Sequence, residues 1–342
     1  MPVLLVNTGS PASPVVRDVR RYLKRFLSDP RVIDLPAPLR WLLVHLVILP
    51  LRPRRTAAAY QRVWLPDDEL GAPLLAHSEA FREELERSLG SGYRVVLAMR
   101  YGEPSLEAAL QHVLDMQPPK IVVFPMFPHA ATATTGSALA AVYGSLATAG
   151  DVPALRVVAP FFDDVGFISA LAASARPALT RVNPDHVLMS FHGLPERHVR
   201  RSDCRGRAGC LESDDCCDVL GPHNRHCYRA QCHETARRLG AALELAPGQW
   251  SVGFQSRMGR TPWISPATED RLTALIDAGQ RRVVVLTPSF VADCLETLEE
   301  VGIGLRERFL SRGGESFVLA PCLNARSEWV AAAARLVRGD AF

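Results

Sequence analysis

The sequence predicts an α/β protein with two doubly wound lobes, each built around a parallel sheet. Short apolar segments rich in valine and isoleucine recur eight times along the 342 residues, and segments with a helical pattern separate them. Strands that alternate with helices form parallel sheets that are covered on both faces. The chain is long enough for two domains of ordinary size, each with a substantial core.

The predicted strands divide equally between the two halves of the chain. They cover residues 3–7, 93–99, 120–125, 155–159, 186–191, 250–255, 282–287 and 315–320. We therefore expect an N-terminal lobe over residues 1–160 and a C-terminal lobe over residues 161–342.

Two pairs of segments indicate that the halves repeat one module. Residues 94–102 resemble residues 251–259, and residues 121–128 resemble residues 283–290. Each of these segments leads into a predicted helix. In doubly wound folds, ligands bind beyond the carboxyl ends of the strands. The sequence therefore predicts an active-site cleft between the edges of the two lobes.

The composition is that of an ordinary globular protein. Apolar residues make up 48% of the chain, charged residues make up 22%, and the net charge is +3. That charge is too small to argue for nucleic-acid binding. The N-terminus lacks the basic start and the cleavage site of a signal peptide. We therefore expect a cytoplasmic protein, in which thiols stay mostly reduced.

Residues 39–51 form an unusually apolar segment that only Arg40, His45 and Pro50 interrupt. The segment is too short to cross a bilayer, which needs roughly 20 residues in a helix. One interpretation is a buried core helix. The other is an apolar lip that touches the membrane surface or an apolar substrate, with flanking arginines such as Arg52 near anionic headgroups or carboxylates.

His192 is a candidate for proton transfer or metal binding. It lies between an apolar predicted strand and Gly193, so its ring can face a cleft. An imidazole titrates near neutral pH and uses the same lone pair to accept a proton or to bind a metal. A lone histidine is more often structural, so the pattern leaves both roles open.

Three carboxylates follow the predicted strand 282–287. Asp293, Glu296 and Glu300 have the spacing i, i+3, i+7, which places them on one face of an α-helix. They form either a solvated surface that suits a helix N-terminus or an acidic path that carries protons or hydrated cations into the cleft. The position at the carboxyl end of a strand favours the path.

Six of the eight cysteines lie in a predicted insertion over residues 199–232. They are Cys204, Cys210, Cys216, Cys217, Cys227 and Cys232. Structural zinc sites typically contain a C-x2-C pair, and this spacing contains none. Four thiolates would satisfy an iron–sulfur cluster, and structural zinc or unliganded redox thiols are the alternatives. Cys294 and Cys322 are predicted to be packed thiols.

Aromatic and arginine side chains follow several predicted strands. Arg100 and Tyr101 lie in one such loop, Trp263 lies in the equivalent loop of the second half, and Phe290 follows another strand. Aromatic rings at the rim of a cleft suit a flat apolar ligand, and arginine suits its carboxylates. The set makes a large planar substrate plausible, although each residue alone is explained by core packing.

Together these motifs resemble those of the ferrochelatases, over nearly the whole chain. The matching segments are Leu-Leu-Val-Asn-Thr-Gly-Ser-Pro at residues 4–11, Ala-Met-Arg-Tyr at 98–101, Ser-Phe-His-Gly-Leu-Pro at 190–195, Phe-Gln-Ser-Arg at 254–257 and Asp-Cys-Leu-Glu-Thr-Leu at 293–298. The resemblance implies two Rossmann-like, chelatase-like lobes. It also implies the insertion of Fe²⁺ into protoporphyrin IX with release of two protons, the last step of haem biosynthesis.

The resemblance also implies the roles of particular residues. The active-site histidine of the family falls on His192 and the essential glutamate on Glu296, and both would contact the substrate iron. Asp293 and Glu300 would extend the acidic helix, and Cys294 replaces a histidine of many members. We expect the porphyrin contacts to include Thr8, Arg52, Arg100, Tyr101, Trp263 and Phe290.

Some members of the family carry a [2Fe–2S] cluster, and this insertion resembles a variant found in certain bacterial members. We expect the ligands to be Cys204, Cys210, Cys227 and one of Cys216 and Cys217. Cys232 is left out because it aligns with relatives that have no cluster. The apolar segment corresponds to the lip of the family, which implies loose membrane contact; a homodimer is a further expected assembly.

Two rival functions are considered. The first is a chelatase for another tetrapyrrole, such as coproporphyrin, but a more water-soluble substrate would not need an apolar lip. The second is an iron–sulfur redox protein or iron sensor on the same scaffold. A protein without chelatase activity would be expected to have other residues in place of His192 and Glu296, but both are present.

Overall fold

A computed structural model describes residues 1–66, 70–202, 210–213, 215–257, 259 and 261–339. The chain divides into two compact units. The first consists of Met1–Phe127, Ala131–Ala159 and the end of the chain from Ala333, and the second consists of Pro128–Ala130 and Pro160–Ala332. Each unit contains a four-stranded sheet in which neighbouring strands are parallel.

The sheet of the first unit has the order β2-β1-β3-β4. Its strands are β1 (Pro2–Asn7), β2 (Arg94–Met99), β3 (Lys120–Pro125) and β4 (Ala154–Val157). All six residues of β1 are buried, as expected for a central strand of a sheet with helices on both faces. Apolar residues of β1 and β3 form a core with Leu110 and Val113.

Helices and π-helical segments connect these strands. The α-helices are α1 (Val16–Ser28), α2 (Ala37–Leu42), α3 (Leu49–Val63), α4 (Pro73–Leu89), α5 (Leu106–Asp115) and α6 (Ser137–Leu146). The π-helical segments are Leu43–Ile48 and Thr132–Gly136.

The sheet of the second unit has the order β6-β5-β7-β8. Its strands are β5 (His186–His192), β6 (Trp250–Gln255), β7 (Arg282–Leu286) and β8 (Ser316–Leu319). The helices that follow β4 are α7 (Val165–Val182), α8 (Glu196–Ser202), α9 (Tyr228–Ala242), α10 (Thr268–Asp277), a π-helix (Glu296–Leu305), α11 (Arg306–Ser311) and α12 (Ser327–Arg338).

The predicted repeat is confirmed by the topology. If the strands are counted within each sheet, both sheets have the order second, first, third, fourth. The similar segments 94–102 and 251–259 begin with β2 and β6, which occupy the same position in their sheets. In the second sheet His192 pairs with Gln255, so these two residues end neighbouring strands at the same edge.

The apolar segment 39–51 runs through α2, the first π-helical segment and the start of α3. Only Val44 and Leu49 are buried, whereas Trp41 is 54% exposed, Leu46 is 62% exposed and Leu51 is 71% exposed. The interpretation as a buried core helix is therefore wrong for most of this segment. No helix in the described part of the chain is both long enough and apolar enough to cross a membrane.

Candidate active site

His192 is the last residue of β5, which lies between β6 and β7. Its backbone N–H donates to Ser289 Oγ (3.3 Å), and its carbonyl accepts a hydrogen bond from Tyr228 Oη (2.7 Å). Its Nδ1 lies 2.6 Å from the carbonyl oxygen of Gly193. Because a carbonyl only accepts, Nδ1 carries the proton, and the lone pair of the neutral ring is on Nε2.

Gly193 allows neighbouring groups to approach the histidine closely. A Cβ atom at this position would lie 2.6 Å from the carbonyl oxygen of Gln255 and 3.3 Å from the ring of Trp263. The ring of Phe290 has its centroid 6.1 Å from the centroid of the His192 imidazole. The structure therefore brings two of the predicted aromatic contacts, Trp263 and Phe290, to the vicinity of His192.

Glu296 and Glu300 lie at the start of the π-helix Glu296–Leu305. The carboxylate of Glu300 accepts two hydrogen bonds from Ser256, one from its N–H (2.8 Å) and one from its Oγ (2.6 Å). Burial raises the pKa of Glu300 and the carboxylate of Glu296 adds to this, whereas the hydrogen bonds from Ser256 and the interaction with His192 oppose it. His192, Glu296 and Glu300 are therefore linked electrostatically through Glu300.

A buried polar chain connects β5, β6 and the π-helix. Ser190 Oγ donates to Gln255 Oε1 (2.7 Å), and Gln255 Nε2 donates to the carbonyl of Glu296 (3.0 Å). Sequence analysis singled out neither these side chains nor Ser256. The signal that could have found them is position, because Gln255 ends the strand beside His192 and Ser256 follows it.

Asp293 does not share a face with Glu296 and Glu300, so the predicted α-helical spacing is wrong. It precedes the helix, which is of the π type from Glu296 onward. Asp293 is buried, and its oxygens accept hydrogen bonds from Thr297 Oγ1 (3.0 Å), Cys322 N (3.2 Å) and Asn324 Nδ2 (2.9 Å). Its carboxylate therefore fixes the start of the helix to the segment that follows β8.

Arg100 and Tyr101 follow β2 in the first unit and join a buried polar network. Arg100 Nη2 lies 2.9 Å from Asp29 Oδ2, and Tyr101 Oη donates to the same oxygen (3.0 Å). Burial alone would raise the pKa of Asp29, but hydrogen bonds outweigh it and lower this pKa. The strongest of these bonds comes from Ser137. Thr8 is next to this network because its carbonyl accepts from Tyr101 N (2.9 Å).

Hydrogen bonds thus connect Thr8, Arg100 and Tyr101 in one network of the first unit. Arg52 lies on α3 and is exposed. Contact of these four residues with a porphyrin stays a prediction.

Three of the clustered cysteines lie close together in the second unit. The Sγ atoms of Cys216 and Cys217 are 3.7 Å apart. The side chain of Cys227 contacts Cys217, and this contact and, to a smaller extent, burial raise the pKa of the Cys217 thiol. Arg229 is buried and has Nη1 3.8 Å from Cys216 Sγ. A buried guanidinium favours negative charge nearby, and metal-bound thiolates would supply that charge. The chemistry of these donors fits a thiolate-bound cluster.

The remaining cysteines of the insertion are placed differently. Cys210 and Cys232 are buried, Cys232 within α9, and Cys204 lies outside the described residues. Among the described residues, no group of three or more His, Cys, Asp or Glu side chains is arranged to hold a metal ion. The described cysteines alone therefore do not complete a cluster site.

Two solved structures share the fold. CbiX, described as the terminal enzyme for the biosynthesis of sirohaem in denitrifying bacteria, aligns over 99% of both chains with a TM-score of 0.50 and 14% identity. SirB from Bacillus subtilis, solved with Fe³⁺, aligns over 78% of this chain and 89% of its own, with a TM-score of 0.52 and 11% identity. These likenesses concern the fold alone, which is an α/β fold with parallel sheets.

Sequence comparison shows the family. The ferrochelatase family model matches residues 1–341. The ferrochelatase of Azotobacter vinelandii (strain DJ) is 47% identical over 341 residues, which cover 98% of both chains. That of Coxiella burnetii (strain Dugway 5J108-111) is 43% identical over 336 residues, or 98% of this chain and 92% of the relative. The chain belongs to the ferrochelatase family and is an enzyme.

Proposed function

We propose that this enzyme inserts Fe²⁺ into protoporphyrin IX to form protohaem, in the last step of haem biosynthesis. The observation that carries the proposal is the geometry of His192. Its Nδ1–H is directed at the Gly193 carbonyl, so the neutral ring carries a basic lone pair on Nε2. That ring interacts electrostatically with Glu300, which also interacts with Glu296.

His192 acts as the proton acceptor in this proposal. A free porphyrin carries two N–H protons, and both must leave when a divalent metal enters. A neutral imidazole is suited to accept one of them near neutral pH, and a carboxylate of the acidic helix takes the other. Glu296 and Glu300 form the path for metal or protons, because carboxylate oxygens can replace the waters of Fe²⁺ one at a time. Asp293 supports this path by fixing the start of the π-helix.

The proposed porphyrin contacts are of two kinds: aromatic rings for the macrocycle and cations for its carboxylates. Trp263 and Phe290 present aromatic rings beside His192, which suits a flat macrocycle. The side chain of Arg100 keeps 23% exposure despite its ion pair, so it can still meet a carboxylate. Tyr101 is buried and shares Asp29 with Arg100, and the Thr8 carbonyl accepts a hydrogen bond from the backbone N–H of Tyr101. Exposed Arg52 offers a second cation.

The test of this function is anaerobic haem formation from Fe²⁺ and protoporphyrin IX, followed by absorption. His192→Ala is expected to lower kcat by about 10²-fold or more, since general bases contribute factors of this order. The matched control is His112→Ala, which removes an exposed histidine of α5. Near-wild-type turnover of a folded His192→Ala enzyme would overturn the assignment. Wild-type activity with coproporphyrin but not protoporphyrin IX would favour the rival substrate.

We also propose that the apolar lip of residues 39–51 docks loosely on a membrane surface. Its exposed apolar side chains lie next to a strongly basic part of the first unit. Residues 16–63 contain eleven lysines and arginines but three acidic residues, whereas the whole chain has a net charge of only +3. Apolar side chains flanked by basic ones suit the interface of an anionic bilayer. An apolar porphyrin would then enter from the bilayer.

We further propose that the insertion 199–232 holds a [2Fe–2S] cluster. Cys216 or Cys217 and Cys227 would be ligands together with Cys204 and Cys210, and the buried Arg229 would balance negative charge. The cluster would supply a redox-active, thiolate-bound group, and no step of the chelatase reaction depends on it. It serves stability or sensing.

A further inference from the structure

Ser256 has a backbone conformation that its residue type disfavours. Its φ angle is +65°, in the left-handed region that glycine adopts most readily. Ser256 follows the last residue of β6, so this φ angle sets the direction of the chain as it leaves the strand. Non-glycine residues in this region concentrate where the surrounding structure uses the conformation.

The conformation gives Ser256 two donors toward one carboxylate. Its N–H lies 2.8 Å from one oxygen of Glu300 and its Oγ lies 2.6 Å from the other. A glycine would adopt the same backbone without a steric cost, but it would supply only the N–H. The side chain of Ser256 is therefore used for the second bond.

The neighbouring residue holds the same helix at a second point. Gln255 donates to the carbonyl of Glu296 (3.0 Å), and Ser190 Oγ fixes the Gln255 amide (2.7 Å). Ser190 is two residues before His192 on β5. The end of β6 thus connects the histidine strand to both glutamates of the π-helix.

We propose that Ser256 is a positioning residue for Glu300, whose carboxyl group it holds in one orientation through two hydrogen bonds. The inference rests on the proposed role of Glu300 in the metal or proton path. The groups that act on Glu300 are the carboxylate of Glu296 on its own helix, the imidazole of His192 on β5 and the two donors of Ser256 after β6.

Three variants separate the hydroxyl from the backbone. Ser256→Ala keeps the backbone N–H and Cβ but loses Oγ. Ser256→Gly also loses Oγ and removes the steric cost of the positive φ angle. Ser256→Thr keeps the hydroxyl. Both variants without Oγ are expected to lose about tenfold in kcat with little change in KM for the porphyrin, the usual size for a hydrogen bond to a charged group. Ser256→Thr should recover part of this loss.

The pH profile supplies a readout that a purely structural role would not move. Without Oγ, protonation of Glu300 becomes easier, so the acid limb of kcat against pH should move to higher pH in Ser256→Ala and Ser256→Gly. The melting temperature of Ser256→Gly should equal or exceed that of Ser256→Ala, because both lose Oγ and only glycine adopts the positive φ angle without strain. The control is Ser251→Ala, which removes a hydroxyl at the other end of β6 that pairs with His186 (2.8 Å).

Two outcomes would overturn the proposal. Wild-type kcat and an unmoved acid limb in Ser256→Gly would mean that the hydroxyl is not used. Activity that follows melting temperature across all variants would mean a structural role only. A carboxyl ¹³C titration of Glu300, assigned with Glu300→Gln, tests the contact even if the chelatase assay fails. The signal should titrate at higher pH in Ser256→Ala, and an unchanged titration would contradict the positioning role.

Discussion

His129 is a buried imidazole that the reaction does not use. Thr235 Oγ1 donates to the carbonyl of Phe162 (2.7 Å), so the bond between Thr235 and His129 (2.9 Å) has Nε2–H of the histidine as donor. Nδ1 has no hydrogen-bond partner in the described part of the chain. Phe191 and Tyr228 pack their rings against the imidazole. Burial lowers the pKa of His129 to about 3.

This histidine should make the stability of the enzyme sensitive to acid. The pKa in the unfolded chain is about 6.5, so between that pH and about 3 the unfolded state binds a proton that the folded state does not. The free energy of unfolding therefore falls as pH falls through this window, by at most about 1.4 kcal/mol per pH unit for this group. His233, whose pKa burial also lowers to about 3, adds a similar effect.

We expect His129→Gln to unfold with a weaker pH dependence than the wild type, because glutamine can donate to Thr235 but does not titrate. The measurement is urea denaturation at several pH values from 7 to 5. His112→Gln, at an exposed position of α5, is the control and should leave the slope as it is. An unchanged slope in His129→Gln would show that this histidine is not the sensor.

At the scale of elements, the strands were predictable and the acidic helix was only partly so. All eight predicted strands are present, because short apolar runs rich in β-branched residues leave a direct signal in the sequence. The π-helix from Glu296 leaves none, since α- and π-helices draw on the same residue types and differ in backbone pairing. Hence the position of Glu296 and Glu300 was found, but the shared face with Asp293 was wrong.

The site shows the same limit. The proximity of Phe290 to His192 could be predicted, because both residues follow apolar strands, and the roles of His192, Trp263 and Phe290 stay predictions. The left-handed backbone of Ser256 could not be predicted, because neither its residue type nor its neighbours indicate a φ angle of +65°. Backbone conformation after a strand is set by the tertiary contacts of that loop.

The apolar lip should act as a membrane-binding element. Leu46→Ser combined with Leu51→Ser removes two of its most exposed apolar side chains, so binding to anionic vesicles should fall severalfold. Flotation with phosphatidylcholine vesicles, with and without phosphatidylserine, measures this. The control is Val152→Ser, which changes a 60% exposed residue of the same unit outside the lip.

Two results would contradict membrane docking by the lip. The first is equal flotation of the wild type and the double variant. The second is a lack of flotation together with a concentration-dependent molecular mass that the double variant abolishes, which would assign the lip to a homodimer.

At the scale of the whole molecule, the proposed cluster should contribute to stability. Cys227→Ser removes a proposed ligand that is buried next to Cys217. The purified protein should therefore lose iron, acid-labile sulfide and visible absorption, and its melting temperature should fall by several degrees. Cys322→Ser is the control, since this buried cysteine lies outside the insertion. A colourless wild-type protein without sulfide, or unchanged melting of Cys227→Ser, would reject the stabilising cluster.

The shared strand order of the two sheets has a consequence for how the enzyme arose. Duplication of one ancestral four-stranded unit, followed by divergence of the copies, would leave two sheets with this same order. The central strand of one copy ends in His192, whereas its counterpart β1 ends in Asn7, a buried amide that donates to Ser78 Oγ (3.1 Å). One strand end thus carries a titratable imidazole and the other an amide that does not titrate, so the proposed proton acceptor has no counterpart at the end of β1.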